Sequence, residues 1–162
     1  MDTHIIEIFS NPAFWAAFWS WTIAQGTKML CALYKTKKLD FKYLASTGGM
    51  PSAHSALATG MAVSVGLMAG FDQPVTIVAF VVAMITMFDA STVRRAAGQQ
   101  AGILNDIIEE LFKEHRLSEV KLKELLGHTR LEVLMGCIVG ILTAMLVISR
   151  TANAVAPVVY CP

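Results

Sequence analysis

Long apolar stretches separated by shorter polar segments dominate the chain. Four of them approach the roughly 20 residues that a helix needs to cross a bilayer. These stretches are Pro12–Tyr34, Ser52–Phe71, Pro74–Ala90 and Leu131–Ser149. The third is short for a span and extends to Thr92 when its polar end is included. The pattern predicts an all-α polytopic membrane bundle of about four transmembrane helices, forming a single membrane domain over residues 1–162.

The connections between the apolar stretches differ in length. Gly70–Pro74 is a tight link that predicts an antiparallel hairpin of the second and third spans. Two longer polar segments cover residues 35–51 and 93–130. Within the second, Ala97–Glu114 has apolar residues at helical spacing, which predicts an amphipathic helix at the membrane surface or against the bundle. A further short helix is predicted from Ser118 to Leu126, with Ser118 as its N-cap.

The distribution of charge predicts the orientation in the membrane. Nearly every Lys and Arg lies in the two longer polar segments or in the last turns of the first span, whereas the opposite side carries Asp2, Glu7, Asp72 and Arg150. Because basic residues favour cytoplasmic loops, we expect both polar segments in the cytoplasm and both termini outside. Only 15% of residues are charged and 55% are hydrophobic, which is too apolar for an ordinary soluble domain. The formal net charge of +1 gives no reason to expect nucleic acid binding.

A glycine-rich motif enters the second span. Gly48 and Gly49 allow backbone N–H groups to converge, and Pro51 suits a first helical turn. The positive N-terminus of the new helix favours an anion. Ser52 adds a hydroxyl donor, and His54 adds a group that can give or take a proton near neutral pH. An anion site is favoured over a simple helix cap with an interfacial histidine, because a cap requires neither two glycines nor a histidine.

A histidine and a carboxylate enter the fourth span. His128 and Glu132 are four residues apart, so on a helix they share a face and the carboxylate can accept the Nδ1 proton of the imidazole. A histidine held in this way can serve as nucleophile or base. The alternative is an ordinary surface pair. The position of Glu132 at the start of an apolar run counts against it, because a carboxylate without a task is costly there.

Two adjacent arginines follow the third span. The guanidinium forks of Arg94 and Arg95 match phosphate oxygens, although basic residues at this position also anchor a span at the cytoplasmic side. Asp89 could orient one of the arginines or, with Asn105 and Asp106, help to hold a divalent ion.

Lys28 and Gln25 lie one turn apart near the cytoplasmic end of the first span. Lys28 either extends to the lipid headgroups or projects into the bundle as an anion ligand. Each of the four spans therefore delivers polar groups to the same side of the membrane. A phosphate held by them between two histidines would allow phosphoryl transfer.

The motifs resemble those of a known family. Residues 51–54, P-S-A-H, resemble the P-S-G-H motif of the type 2 phosphatidic acid phosphatases and vanadium-dependent haloperoxidases, and His128 with Glu132 resembles the H-x3-D end of their last motif. The stretches GGMPSAHSA, DASTVRRAAGQQA and LKELLGHTRLEV look like a divergent branch of that family, over Gln25 to Gly140. The resemblance implies that His128 attacks phosphorus, that Glu132 orients it and that His54 protonates the leaving oxygen, with neither metal nor cofactor.

The sequence also departs from the family pattern. Lys28 matches the first motif, K-x6-R-P, but Lys35 stands where its arginine would be and no proline follows. Leu122 occupies the arginine position of the last motif, S-R-x5-H, so Arg94 or Arg95 is the candidate replacement.

Residues and resemblance together predict a membrane phosphatase. It would hydrolyse a lipid phosphate monoester or pyrophosphate at the cytoplasmic face through a phosphohistidine intermediate, with membrane lipids around it. The sequence is compatible with a homo-oligomer. The alternatives are a non-hydrolytic binder or transporter of phospholipid or polyprenyl phosphate, and a structural membrane subunit.

Overall fold

The computed structural model describes residues 6–37, 49–112 and 127–154. These residues form helices and connections, with no strand among them, which confirms the predicted all-α class. The helices are α1 (Pro12–Thr36), α2 (Ala53–Ala69), α3 (Pro74–Ser91), α4 (Val93–Phe112) and α5 (Arg130–Ala154), preceded by a 3-10 turn at Ile8–Ser10. The short helix predicted from Ser118 lies outside the described residues.

Local sequence explains where the helices begin and end. Asn11 caps α1, its side chain accepting the Ala13 N–H, and Pro12 follows at the first helical position. Gly70 ends α2 with a φ of 104°, a left-handed conformation that glycine adopts without a Cβ clash. The Thr76 hydroxyl donates to the Gly70 carbonyl at 2.7 Å and fixes the link to α3. α2 and α3 pack against each other across this link, as the predicted hairpin requires.

α2 lies at the centre of the bundle, in contact with α1, α3 and α5. Its buried face consists of small residues such as Ala56, Gly60 and Ala62, so neighbouring backbones can approach closely. Gly136 and Gly140 of α5 face it at a spacing of four. A methyl group on Gly140 would lie 2.6 Å from the Ala56 carbonyl oxygen. Helices α2 and α5 therefore pack backbone against backbone.

The outer surface of the bundle is apolar. On α3, Val78, Ile85 and Phe88 are exposed by 61%, 63% and 66%, and similar side chains cover the outside of α5. Residues 74–109 and 130–152 are long and apolar enough to cross a bilayer, as judged by length and composition. A contiguous apolar exterior of this kind suits lipid rather than water. The protein is a membrane helical bundle, and the crossing of the bilayer by all four predicted spans stays a prediction.

The junction between α3 and α4 is a break rather than a loop. Thr92, with φ −120° and ψ −69°, leaves the helical conformation for one residue, and α4 starts at Val93. The predicted amphipathic segment from Ala97 is thus part of a longer helix that begins four residues earlier. Among the described helices α4 contacts only α3. Near the break, the Ala90 carbonyl accepts the backbone N–H of His128 at 3.0 Å, which brings the chain before α5 against the end of α3.

Candidate functional site

The N-terminus of α2 is joined directly to the first turn of α5. The Ser52 N–H donates to the Glu132 carbonyl oxygen at 2.9 Å. Ser52 is the N-cap: its Oγ accepts the Ser55 N–H at 3.4 Å and the Ser55 hydroxyl at 3.0 Å. Both serines are fully buried. Because Ser52 Oγ already accepts two hydrogen bonds, its own proton is available to another acceptor at the helix N-terminus.

His128 is held at two points and buried, with 1% of its surface exposed. Its backbone N–H donates to Ala90, and its Nδ1 lies 2.9 Å from Glu132 Oε2. The predicted histidine–carboxylate pair is therefore present. His128 precedes α5, however, so the contact forms across the start of the helix and not along its face. The other ring nitrogen, Nε2, is buried and has no hydrogen-bond partner within the described part of the chain.

A capping box that was not among the predicted features surrounds this pair. The Glu132 N–H donates to Thr129 Oγ1 at 3.3 Å, and the Thr129 N–H donates to Glu132 Oε2 at 3.2 Å. The Thr-x-x-Glu spacing of this motif is visible in the sequence and marks a helix start. Glu132 therefore both caps α5 and contacts His128.

Lys28 projects into the bundle, which decides between the two positions expected for it. Only 5% of its surface is exposed, and Gln25, one turn earlier, is also buried. A methyl group on Gly49 would lie 4.0 Å from Lys28 Cδ, so the glycine-rich turn passes over this side chain. Burial acts against the charge on Lys28, and the Glu132 carboxylate favours it. Lys28 thus brings a positive charge to the same site as His128.

The second predicted histidine lies at the outer edge. The rings of His54 and His128 have centroids 6.4 Å apart and are tilted by 60°. His54 is exposed whereas His128 is buried, so one imidazole faces the interior and the other the surroundings.

The segment that follows α3 contributes backbone to this region. Gly127 packs directly against the backbone of Arg95, whose side chain is exposed. Asp89 is half-buried in the last turn of α3, and Asn105 is buried in α4. Gly48 and the side chain of Arg94 lie outside the described residues. Within the described ranges no group of three His, Cys, Asp or Glu side chains is close enough to hold a metal ion.

The contacts therefore bring together part of the predicted set. These residues are Lys28, Gly49, Ser52, His54, His128 and Glu132. A buried ammonium, a helix N-terminus and a buried imidazole nitrogen in one region are suited to an anion. Arg95 adjoins the region through its backbone.

Comparison with known proteins identifies the family. A family model described as "Divergent PAP2 family" matches residues 9–143. A Bacillus subtilis protein with the name "Uncharacterized membrane protein YuiD" is 35% identical over 151 residues, which cover 86% of this chain and 96% of the relative. No solved structure matches the chain. The resemblance noted from the motifs is confirmed, and the chain belongs to the Divergent PAP2 family.

Proposed function

We propose that the protein is a membrane phosphatase that hydrolyses a lipid phosphate monoester or pyrophosphate through a phosphohistidine intermediate. The environment of His128 is the observation that carries the proposal. Its ring is buried, Nδ1 is engaged by Glu132, and Nε2 has no hydrogen-bond partner within the residues described. A buried polar atom without a partner costs free energy, so such an atom points to a ligand.

The charges around Nε2 favour phosphate as that ligand. Lys28 supplies a buried ammonium, and the N-terminus of α2 supplies a positive dipole end and the Ser52 hydroxyl. Carboxylate or sulfate would satisfy the same donors. Membership of the family and the histidine pair make phosphate the choice, because a phosphoryl group can be transferred to a histidine nitrogen.

The first chemical step is transfer of the phosphoryl group to His128. With its Nδ1–H hydrogen-bonded to Glu132, the neutral ring has a lone pair on Nε2, and this lone pair attacks phosphorus. The phosphorus–oxygen bond to the lipid breaks, and its electron pair leaves with the oxygen. His54 donates a proton to that oxygen. The two rings are neighbours, with centroids 6.4 Å apart, so both histidines can act on one substrate headgroup.

The second step releases phosphate. His54, now neutral, takes a proton from a water molecule as the water oxygen attacks phosphorus. The nitrogen–phosphorus bond breaks and its electrons return to Nε2. The products are inorganic phosphate and the lipid alcohol, or the lipid monophosphate when the substrate is a pyrophosphate. Because one histidine acts neutral and the other protonated, turnover should have a bell-shaped pH profile.

The apolar exterior supports a lipid as the carrier of the phosphate. A substrate anchored by acyl or prenyl chains would present its headgroup at the membrane face where the α2 N-terminus lies. We assign this face to the cytoplasm, with both termini outside, because the basic residues concentrate in the segments 35–51 and 93–130.

A non-hydrolytic binder or transporter of phospholipid or polyprenyl phosphate is the second candidate. The exposed side chain of Arg95 favours it, because an arginine that faces the surroundings does not supply the guanidinium that the family's last motif carries where this chain has Leu122. Such a protein would use the same buried Lys28 ammonium and helix N-terminus without bond cleavage.

Phosphate release by purified protein separates the two candidates. The assay uses a panel of lipid monophosphates and pyrophosphates in detergent or liposomes over a broad pH range. We expect wild type to release phosphate, His128→Ala to lose at least about 10³-fold in kcat, and Glu132→Gln to lose about 10²-fold or more. Both variants should still bind lipid phosphate, and His4→Ala serves as a control outside both motifs. Wild-type protein that binds a lipid phosphate but never hydrolyses it would leave the binder as the function.

A further inference from the structure

Glu132 belongs to two local structures at once. Its Oε2 accepts the Thr129 N–H at 3.2 Å within the capping box and is 2.9 Å from His128 Nδ1. Its own N–H donates to Thr129 Oγ1, and its carbonyl accepts from Ser52. The residue is therefore fixed at its N–H, its carbonyl and its carboxylate.

We propose that Thr129 is a positioning residue that sets the tautomer of His128 through this capping box, and that the reach of the box requires glutamate at position 132. The effect on turnover rests on the proposed function. The effect on the tautomer rests on the hydrogen bonds alone.

The tautomer follows from what each atom can donate. An ionised carboxylate only accepts hydrogen bonds, so His128 Nδ1 facing Glu132 Oε2 must carry the proton. In the neutral ring the lone pair is then on Nε2, the buried nitrogen without a described partner. A carboxylate that can rotate away would let the ring exchange between its two neutral forms. Thr129 opposes this rotation at two points: its backbone N–H holds Glu132 Oε2, and its hydroxyl fixes the Glu132 backbone so that the carboxylate stays within reach of that N–H.

The side-chain length at position 132 matters for the same reason. Glu132 is the third residue of α5, and its carboxylate reaches back across the first turn to donors on Thr129 and His128. Capping boxes use Glu or Gln at this position for that reach. Aspartate, which the last motif of the related phosphatases carries, is shorter by one methylene group. From this backbone position it would leave at least one of the two donors unsatisfied.

The competing interpretation is that Thr129 only stabilises the end of α5. Asn11 provides a matched control, because it caps α1 by accepting the Ala13 N–H at the end of that helix remote from Lys28. Loss of either cap should lower thermal stability to a similar extent. Only loss of the Thr129 cap should alter His128.

Nitrogen NMR of the ¹⁵N-histidine-labelled protein in detergent micelles provides the decisive measurement. The His128 signals are assigned by their absence in His128→Gln and followed at a pH where the ring is neutral. We expect wild type to be protonated at Nδ1, Thr129→Val to give a mixture of tautomers, Thr129→Ser to restore the wild-type signal, and Asn11→Ala to leave it unchanged. In phosphate release, Thr129→Val should lose about tenfold or more in kcat with little change in KM.

A wild-type tautomer in Thr129→Val would overturn the proposal, as would equal changes in Thr129→Val and Asn11→Ala. Glu132→Asp tests it separately should Thr129→Val fail to fold: the expected result is a mixed tautomer, and a wild-type signal contradicts the required reach. If wild type releases no phosphate, the proposed phosphatase activity fails while the tautomer measurement still decides the role of Thr129.

Discussion

Replacing Gly136 by alanine should disturb both the packing of the bundle and the candidate site. A methyl group there would overlap the Ser52 carbonyl oxygen and lie 2.9 Å from Ser55 Cβ and 3.2 Å from the Ser52 carbonyl carbon. Two of these three atoms belong to the backbone at the N-cap of α2. No side-chain rotation can remove the overlap with these backbone atoms, so α2 and α5 must separate.

The size of the effect follows from the distances. Restoring ordinary van der Waals contact requires a displacement of about 1 Å, which would stretch the 2.9 Å bond from the Ser52 N–H to the Glu132 carbonyl beyond hydrogen-bonding range. Overpacking of this kind costs about 1–3 kcal/mol. A shift of about 1 Å between the α2 N-terminus and His128 should lower turnover by about 10²-fold.

Gly26→Ala is the matched control, because a methyl group at Gly26 meets no atom within 4 Å. Thermal unfolding in detergent, binding of inorganic phosphate and phosphate release would be measured on both variants. We expect Gly26→Ala to equal or exceed wild type in stability, since alanine is the better helix former. A Gly136→Ala protein with wild-type stability and phosphate affinity would refute the close packing of α2 and α5 at the site.

Two further predictions concern the anion and the orientation. Lys28→Met keeps the aliphatic chain but removes the buried charge, so its affinity for inorganic phosphate in a calorimetric titration should fall about tenfold or more. Lys37→Met, at an exposed position, should bind as wild type. Equal affinities of the two variants would exclude Lys28 as a ligand. Single cysteines at Lys38 or Lys113, in a background without the three native cysteines, should resist an impermeant reagent in intact cells and react after permeabilisation. Labelling from outside would reverse the orientation.

The helices and the histidine pair were predictable because their signals are local. Apolar stretches of span length predict helices whatever surrounds them, and a separation of four residues brings His128 and Glu132 within reach. The position of His128 was predicted wrongly in one respect. The prediction placed His128 on the helix, whereas Thr129 caps α5 and His128 precedes it. The Thr-x-x-Glu pattern could have corrected this, because it marks the first turn of α5.

Other features had no signal that one sequence could provide. The hydrogen bond from His128 to Ala90 joins two backbone groups, and any residue type except proline at position 128 could form it. The spacing of Gly136 and Gly140 indicates a close helix contact, but it does not identify α2 as the partner. The residue types of Arg94 and Arg95 predicted a phosphate-binding pair. Residue type cannot predict that the backbone of Arg95 packs against Gly127.

The shortness of α2 sets the depth of the site. Its 17 residues rise by about 25 Å at roughly 1.5 Å each, whereas the hydrocarbon layer is about 30 Å thick. With 25 residues each, α1 and α5 are longer than this layer. As a membrane-crossing helix, α2 would therefore end below the plane of the headgroups, beside the longer α1, which continues past Lys28 to Thr36. A phosphate reaching Ser52 would have to sink several ångströms from its normal level, into surroundings of lower dielectric constant where each interaction with Lys28 is stronger than it would be in water.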